Sequence, residues 1–579
     1  MRKIKDLNKL SIEGMEPWRG YLSDKKIKLL EESWAGTFRN NILPVMPVNF
    51  LSMNYSEDQG RPTKDLLTAM GAAILQQIFN LTDEETRQQL AFNQMWHYAL
   101  DTYDPKEQLF AERTMWTVRH HLTQGGSSQK IFNTITDNFA KIFNVDTRDQ
   151  RLDSVHVYSN MANLGRARLM ARTITKFLKN LKRHYSELFT ADISVELKSR
   201  YMKEESSSYF GNTKPSDSRK RLSEIAEDMQ YLIEKYINNA EVRKMNSYKL
   251  LERVISEQCE IVDGDMKLKA AKEISSDSLQ NPSDVDAGYD GHKGQGYQVQ
   301  LSETYKKKNS DDEDDSDQLN LITYVKVESA DKHDSNALIP AIDEMEERGV
   351  KPEEMLADAA YGGDDNVRAA EDKGVSVVSP VIGRKSDKDF TGFEFNEKTS
   401  EVTKCPNGKA PTSVKINKKG TITARWAKSD CEDCPLKEHC KTKNGARGRR
   451  LNYSAKDIRL WQRRRNEAGK DFRDKYRYRA GVEATNARFI HMTGARRVRY
   501  RGIENVEFAE TMKALGINMF RVQKYTQKTG NFRPQNPIIF VYFSIWSLLW
   551  VFRRYFDLKI EYFVENRSSN WNFRKFAYI

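Results

Sequence analysis

The spacing of apolar residues predicts helices over the first 145 or so residues. Arg61 and Pro62 open a run to Phe79 in which apolar side chains recur every three or four residues, the period of one helix face. Thr82 followed by Glu85 matches a capping box, in which each side chain bonds the other's backbone N–H at a helix start. Short helices joined by tight turns suit a DNA-binding domain, and they suit any small helical bundle equally well.

The period changes at residue 151. In RLDSVHVYSN, residues 151–160, Asp153, Val155 and Val157 alternate with Leu152, Ser154 and His156. A period of two predicts a strand. Asp153 would therefore share one side of the strand with two valines, where a buried carboxylate is costly unless something compensates it. A buried ion pair with an arginine is the simple explanation, and a functional site is the alternative.

Helices and strands alternate over the next 230 or so residues. Residues 161–275 are helical and charged, which indicates an insertion of helices after the first strand. Beyond it the pattern predicts strands at 297–305 and 321–329, a helix at 336–348, a strand that ends at Asp358, a short helix and a last strand. This order is typical of an α/β domain with a mixed sheet. Such sheets place their sites at the carboxyl ends of strands, where Asp358 lies.

One carboxylate lies in strongly basic surroundings. Residues 441–503 contain 20 lysines and arginines against 5 aspartates and glutamates, in a chain whose net charge is +12. In the segment YRYRAGVEATNARFI, helical spacing places Tyr476, Arg479 and Glu483 on one face. An ordinary i,i+4 pair between Arg479 and Glu483 explains this face, and a metal ion beside a phosphate is the alternative. The basic surface suits a polyanion such as nucleic acid.

The chain ends and an acidic segment carry weaker signals. The N-terminal MRKIKDLNKL has no apolar core of a signal peptide, so we expect a cytoplasmic protein. The acidic segment KKKNSDDEDDSD is expected to be an exposed hairpin tip rather than a cation site. The apolar run at 538–552 is shorter than the roughly 20 residues of a membrane span. We expect a buried or self-associating helix there, with membrane contact as the alternative.

The cysteines indicate a metal site rather than disulfides, given a reducing compartment. Four of the five lie in one short segment: Cys405, Cys431, Cys434 and Cys440. A CxxC knuckle with two further cysteines fits tetrahedral structural zinc, with His439 as a substitute for Cys440. We expect this segment to be rich in loops and to gain much of its order from the metal. Cys259 is expected to be simply buried.

Context selects three carboxylates as one candidate site: Asp153 in mid-strand, Asp358 at a strand end and Glu483 on a basic helix. Three carboxylates brought together without cations would repel one another, so their convergence implies bound metal. Oxygen ligands favour Mg²⁺ or Mn²⁺. Two such ions about 4 Å apart would activate a water or hydroxyl and stabilise the leaving oxygen of a phosphodiester.

The order of these motifs resembles that of bacterial insertion-sequence transposases with a DDE triad, in the group with a Tyr-x-x-Arg-x-x-x-Glu signature. Tyr476, Arg479 and Glu483 match that signature. Asp153 in LDSVHVYSNMANLGR matches the family's first aspartate, and Asp358 in ADAAYGG matches the second. The segments DAGYDGHKGQGYQVQLSET and ADKHDSNALIPAI and the cysteine motifs also look like members that carry a cysteine-rich insertion.

One position departs from the family pattern. The signature often continues to a lysine seven residues beyond the glutamate, and that position is Ile490 here. His491 and Arg488 are the candidates to replace it. The resemblance runs from about residue 53 to residue 524, and the tail beyond has no counterpart.

The resemblance implies a ribonuclease-H-like fold, a mixed α/β sheet flanked by helices. It implies a helical N-terminal DNA-binding domain at 1–145 and a catalytic domain at 146–525. The catalytic domain would contain the helical insertion at about 161–275 and a cysteine-rich insertion at about 390–450. An apolar tail would follow at 526–579.

The function that the resemblance implies is DNA transposition. The protein would recognise terminal inverted repeats, cleave the element ends with Mg²⁺ or Mn²⁺ and transfer the freed strand to target DNA, as a homodimer in the synaptic complex. Asp153 would bridge two ions, and Asp358 and Glu483 would each complete one coordination shell. The expected DNA-binding residues are Tyr476, Arg479, Arg488, Arg496 and Arg497. The alternatives are a relic that binds DNA without cutting it and a related Mg²⁺-dependent nuclease.

Overall fold

The computed structural model describes residues 1–7, 20–202, 215–262, 265–307, 318–383, 388–445 and 448–530. The acidic tip of the segment KKKNSDDEDDSD and the apolar run at 538–552, on which two of the sequence predictions fall, lie outside the described residues. The chain folds as a mixed α/β protein around one curled mixed sheet.

Short helices form the N-terminal part. They are α1 (Asp24–Glu31), α2 (Trp34–Thr37), α3 (Asn49–Ser52), α4 (Leu66–Ile78), α5 (Asp83–Phe92), α6 (Gln94–Ala99), α7 (Glu112–Thr123) and α8 (Ser127–Ile142). The predicted capping box is confirmed, because Thr82 accepts from the Glu85 N–H and Glu85 from the Thr82 N–H. The helix expected from Pro62 begins only at Leu66, where the Asp65 side chain caps it.

The main sheet combines antiparallel and parallel strands. Its strands are β1 (Asp149–Tyr158), β4 (Gly288–Asp290), β5 (Gly294–Thr304), β6 (Ile322–Ser329), β7 (Glu354–Ala357) and β8 (Ser376–Val378). From one edge the order is β6, β5, β1, β7, β8, with β4 also paired to β5. β5 is antiparallel to β1 and β6, whereas β7 is parallel to β1 and β8 parallel to β7.

Helices fill the chain between β1 and β4. They are α9 (Arg166–His184), α10 (Ser186–Asp192), α11 (Val195–Tyr201), α12 (Pro215–Tyr236), α13 (Ala240–Lys244) and α14 (Asn246–Gln258), followed by a hairpin of β2 (Cys259–Val262) and β3 (Asp265–Leu268). Their apolar side chains form a core of their own, which includes Cys259. This part therefore packs as a unit beside the sheet.

The cysteine segment contains a small sheet rather than the expected loops. Its strands are β9 (Glu394–Phe395), β10 (Val402–Lys404), β11 (Ser413–Ile416), β12 (Ile422–Trp426), β13 (Lys443–Gly445) and β14 (Gly448–Tyr453), with helix α17 (Lys428–Glu432). Phe390, Phe393, Trp426 and Tyr453 form its core. Aromatic packing thus gives this segment a core of its own, and the expectation that a metal supplies much of its order stays a prediction.

The remaining helices cover the sheet. They are α15 (Leu338–Glu347), α16 (Asp364–Asp372), α18 (Ala455–Glu467), α19 (Lys470–Tyr476), α20 (Ala480–Thr493) and α21 (Ile503–Thr529). α15 and α16 pack on one face, and α20, α21 and the N-terminal helices pack on the other. Much of α21 is buried between the N-terminal helices and the sheet. In the described ranges, no helix combines the length and the apolar character that crossing a membrane requires.

Candidate active site

The register of two parallel strands brings two distant aspartates together. Leu152 on β1 lies opposite Ala357 on β7, and both side chains belong to the core under α15. Side chains alternate along a strand, so the next residues, Asp153 and Asp358, emerge on the opposite face as neighbours. The Asp358 carboxylate Oδ1 accepts a hydrogen bond from the Ala360 N–H at 2.8 Å, at the turn that ends the strand.

Helix α20 crosses that same face and supplies the third carboxylate. Arg479 Nη1 donates to Glu483 Oε1 at 3.0 Å, and Arg479 Nη2 donates to Asp153 Oδ2 at 3.4 Å. Asn486 Nδ2 donates to the same Asp153 oxygen at 3.1 Å. The i,i+4 pair expected from the sequence is present, and the same arginine ties the helix to the strand. Strand β1 and the segment that begins α20, which are far apart in sequence, thus meet around one guanidinium group.

The charges of this group differ in their exposure. The side chain of Asp153 is 12% exposed and that of Glu483 is 65% exposed. Burial raises the pKa of Asp153 above its usual value; Arg479 opposes that shift, while Asp358 adds to it. The buried Nε of Arg479 and Oδ1 of Asn486 have no hydrogen-bond partner among the described residues. The site therefore contains a carboxylate whose charge is unfavourably buried, beside two polar atoms with which a ligand could form hydrogen bonds.

Tyr476 reaches the site by a different path from the one predicted. The sequence suggests one continuous helix from Tyr476 to Ile490, whereas α19 ends at Tyr476 and a 3₁₀ turn, Arg477–Arg479, precedes α20. Arg151 Nη1 donates to the carbonyl of Tyr478 in that turn at 2.6 Å. Burial raises the pKa of Tyr476; Arg479 opposes that shift, while the charges of Asp358, Asp153 and Glu483 add to it.

A fourth carboxylate, Asp334, belongs to the same surroundings. The Tyr361 hydroxyl donates to Gln300 Oε1 at 2.5 Å, and Gln300 Nε2 donates to Asp334 Oδ1 at 3.0 Å. Asp334 also contributes to the raised pKa of Asp153, after burial and Asp358. The sequence patterns predicted a role for neither Asp334 nor Asn486. Both residues could have been found from the sequence, because Asp334 lies in the segment ADKHDSNALIPAI and Asn486 lies three residues after Glu483.

Other predicted residues lie away from this group. Arg488 is exposed on another face of α20, where it borders a separate cavity. Arg496 and Arg497 are exposed at the far end of β1, where the Arg497 backbone pairs with Tyr158. Five residues of strand separate Tyr158 from Asp153, about 17 Å. Ile490 packs against the main core.

The four cysteines predicted as zinc ligands converge on one small cavity. Cys405, Cys431, Cys434 and Cys440 line a space of about 20 Å³ beside Trp426. Burial raises the pKa of Cys431, and the three other thiols contribute. All four cysteines have free thiols. His439, the alternative ligand, does not line the cavity.

Neither site has the arrangement of a loaded metal centre. Among the described residues, no three histidine, cysteine, aspartate or glutamate side chains are close enough together to hold a metal ion. The donor sets nevertheless fit two different metals, because one is made of carboxylate oxygens and the other of thiols. At the carboxylates, the cation between Asp153 and Glu483 is Arg479.

Two models of known protein families match parts of this chain. A family model described as Transposase DDE domain matches residues 404–523, which include the cysteine segment, the Tyr476–Glu483 signature and most of α21. A second, described as Transposase domain (DUF772), matches residues 35–121 of the N-terminal helices. No curated protein and no solved structure matches the chain. With the motifs described above, the two family matches support an insertion-sequence DDE transposase.

Proposed function

We propose that this transposase cleaves DNA at the ends of its insertion sequence and transfers the freed strand to target DNA, with Asp153, Asp358 and Glu483 as its metal ligands. The observation that carries the proposal is the convergence of these residues on one face of the sheet, joined by register and by Arg479. The strand order β6-β5-β1-β7-β8, antiparallel on one side of β1 and parallel on the other, supports a ribonuclease-H-like catalytic domain.

Divalent ions, Mg²⁺ or Mn²⁺, would be held by the three carboxylates, and when bound they would activate an attacking hydroxyl and neutralise charge on the phosphodiester. Asp153 would be the innermost of the ligands, because it is the most buried of the three carboxylates. Asn486 fixes the orientation of the Asp153 carboxylate through its 3.1 Å hydrogen bond.

Arg479 has two roles in this proposal. Without ligands it neutralises Asp153 and Glu483, which would otherwise repel each other across the site. With DNA bound, its guanidinium moves to the scissile phosphate, since arginine forms strong paired hydrogen bonds with phosphate. Its buried Nε has no hydrogen-bond partner among the described residues and would gain one in that move. Tyr476 lies beside it and would hold the adjoining part of the strand.

Cleavage assays on DNA that carries the sequences flanking the gene test the proposal. With Mg²⁺ or Mn²⁺, the wild type should cut at the element end, and Asp153→Asn, Asp358→Asn and Glu483→Gln should each lower the rate by about 100- to 1,000-fold, the effect of removing one electrostatic stabiliser. Glu227→Gln, at an exposed position of α12, is the matched control and should keep full activity. Unchanged cleavage in any triad variant contradicts the assignment.

The same assay separates the alternatives. A DNA-binding relic would bind the substrate and leave it intact under every metal. A nuclease of the same fold would cut but would not join the freed end to target DNA. A transposase should do both, and mixing experiments with two tagged forms should recover both tags in the complex of paired ends if it acts as a homodimer.

The cysteine cavity supports a separate, structural role for zinc. A space of about 20 Å³ holds roughly one water-sized particle, and four cysteines are among the residues that line it. Tetrahedral thiolate ligation is the usual arrangement of structural zinc. We therefore infer one zinc ion bound by Cys405, Cys431, Cys434 and Cys440. Metal analysis of the purified protein should find one zinc per chain, and its absence after purification with added zinc would contradict the inference.

A further inference from the structure

A basic cavity lies behind the helix that carries Glu483. Gly481, Ala484, Thr485 and Arg488 border a space of about 470 Å³. At about 100° per residue, these positions lie roughly 100° to 200° around α20 from Glu483, so the cavity and the carboxylates occupy different sides of one helix. The cavity is more than twenty times larger than the space between the cysteines.

The floor of the cavity is formed by two largely buried arginines, Arg151 and Arg521, which share the fully buried Glu303 behind them. Arg151 Nε donates to Glu303 Oε1 at 2.8 Å, and Arg521 Nη2 donates to Glu303 Oε2 at 2.7 Å. Burial alone would raise the pKa of Glu303, but Arg521 and Arg151 hold it below its usual value. Glu303 is therefore ionised. Two guanidinium groups share one carboxylate, so the floor keeps a net positive charge.

The glycine at position 481 allows this floor to approach the helix. A Cβ on Gly481 would overlap Nη1 of Arg151, which lies directly beneath the first turn of α20. Arg151 Nη1 is fixed there by the carbonyl of Tyr478. A larger residue at 481 would push the guanidinium out of the floor.

The rim adds further cations. Arg488 and Lys524 are exposed, and in the described part of the chain neither forms a hydrogen bond or an ion pair. Arg521, Lys524 and Lys528 follow one another along one side of α21. Seven residues of helix span about 10 Å, which exceeds the size of a single phosphate group. The cavity thus presents a line of positive charge that begins at Arg521 in the floor and continues along α21.

The cavity also lies close to the candidate active site. Arg151 and Asp153 project from the same face of β1 two residues apart, a distance of about 7 Å. We propose that this cavity binds backbone phosphates of a DNA strand that extends past the carboxylates. The proposal rests on the proposed function, because it assigns the cavity to the same DNA. An extended cationic line favours a nucleic-acid backbone over a free phosphate ion, which would use the floor alone.

The test measures DNA affinity against salt concentration. The probe is a 30-bp duplex from the gene's flanking sequence, in EDTA so that no cleavage occurs. The double variant Arg488→Ala/Lys524→Ala removes two rim charges at exposed positions. The matched control, Arg172→Ala/Lys249→Ala, removes the same charges from exposed positions of α9 and α14. Losing two phosphate contacts should make the slope of log K against log salt shallower by about 1.8, and the control should keep the wild-type slope.

Three outcomes overturn the proposal. One is an unchanged slope in the double variant, and another is an equal change in the control. The third is displacement of the duplex from the wild type by inorganic phosphate at matched phosphate concentration, which would mark a small-anion site. Cleavage with Mg²⁺ is measured separately. If the double variant changes the salt slope but the wild type never cuts DNA, the proposed function is wrong and the cavity proposal stands. If the wild type cuts DNA but the double variant keeps the wild-type salt slope, the cavity proposal is wrong and the proposed function stands.

Discussion

The two candidate metal centres are built in opposite ways. The four cysteines come from one segment of 36 residues, Cys405 to Cys440, and line a cavity of about 20 Å³ that Asp430, Lys437 and Arg449 border as well. The carboxylates come from three segments that span more than 300 residues, Asp153 to Glu483, and an arginine lies between two of them. One site depends on a local sheet and the other on the whole fold.

This difference indicates different tasks. A structural ion needs fixed ligands, and the aromatic core beside the cysteines supplies a rigid support. A catalytic site must exchange partners, and Arg479 can bind either the carboxylates or a phosphate. The carboxylate site should therefore cost stability, whereas the cysteine site should add to it.

The largest expected effect separates the two centres by substitution. Cys431→Ser should abolish zinc binding and lower the Tm by about 5 °C, because bound metal stabilises only the folded state. Cleavage per folded molecule should remain. Glu483→Gln should keep zinc and the Tm but lose about 100- to 1,000-fold in cleavage rate. Metal analysis measures the zinc content, calorimetry measures the Tm, and the cleavage assay measures the rate.

Cys259→Ser is the control for that pair, because Cys259 is buried in the helical insertion away from the cavity. It should leave the zinc content unchanged. Zinc loss in this variant, or full cleavage in Glu483→Gln, would remove the distinction between the two centres.

A smaller effect is expected when Arg479 is replaced. Arg479→Gln removes the cation that competes for Asp153 and Glu483, so Mn²⁺ should bind about tenfold more tightly, equivalent to about 1.4 kcal/mol. Cleavage should nevertheless fall, since the phosphate loses its guanidinium partner. Titration with Mn²⁺ followed by electron paramagnetic resonance measures the affinity. Weaker binding of Mn²⁺ would show that Arg479 only organises the carboxylates.

The burial of Asp153 should make the stability of the folded protein depend on pH. The pKa of Asp153 is raised in the folded protein, mainly by burial, so this residue stabilises the fold below its unfolded pKa and loses that contribution as the pH rises. Asp153→Asn should therefore raise the Tm of the metal-free protein at pH 7 and have little effect near pH 3. Calorimetry at both values in EDTA tests this. A lower Tm at pH 7 would mean that Arg479 more than compensates the burial.

The smallest effect concerns His156, a buried group on the same strand but outside the site. Burial, helped by Lys293 and Arg496 and opposed by Asp290, lowers its pKa to about 4. The unfolded chain binds its proton near pH 6.5, so stability falls as the pH drops from about 6.5 to 4. His156→Gln should weaken that acid dependence, measured as urea midpoints across this range. An unchanged dependence would assign it to other groups.

The sequence predicted the strands and the triad candidates more completely than their surroundings. Alternation in RLDSVHVYSN predicted a strand at 151–160, and β1 occupies Asp149–Tyr158. Asp358 follows its strand as expected, because a carboxylate after a run of apolar residues marks where the strand leaves the core. The parallel register that places it beside Asp153 depends on the order of distant strands, which local patterns do not contain.

The features that were missed depend on tertiary contacts. The break between α19 and α20 coincides with a carbonyl that binds Arg151, a residue more than 300 positions away. Likewise, Asp334 approaches the site through Gln300 on a neighbouring strand. The small sheet around the cysteines escaped notice because its core consists of a few widely spaced aromatic residues. A periodic pattern needs longer elements than these.

Replacing one ligand by a thiol tests most directly whether the carboxylates hold a catalytic metal. Asp153→Cys presents sulfur in place of oxygen, and Mg²⁺ accepts sulfur poorly whereas Mn²⁺ tolerates it better. The ratio of cleavage rates in Mn²⁺ and Mg²⁺ is compared for the variant and the wild type. We predict that the variant loses cleavage in Mg²⁺ and recovers part of it in Mn²⁺, with a ratio at least tenfold above that of the wild type. An equal ratio in both proteins would contradict direct metal binding by Asp153.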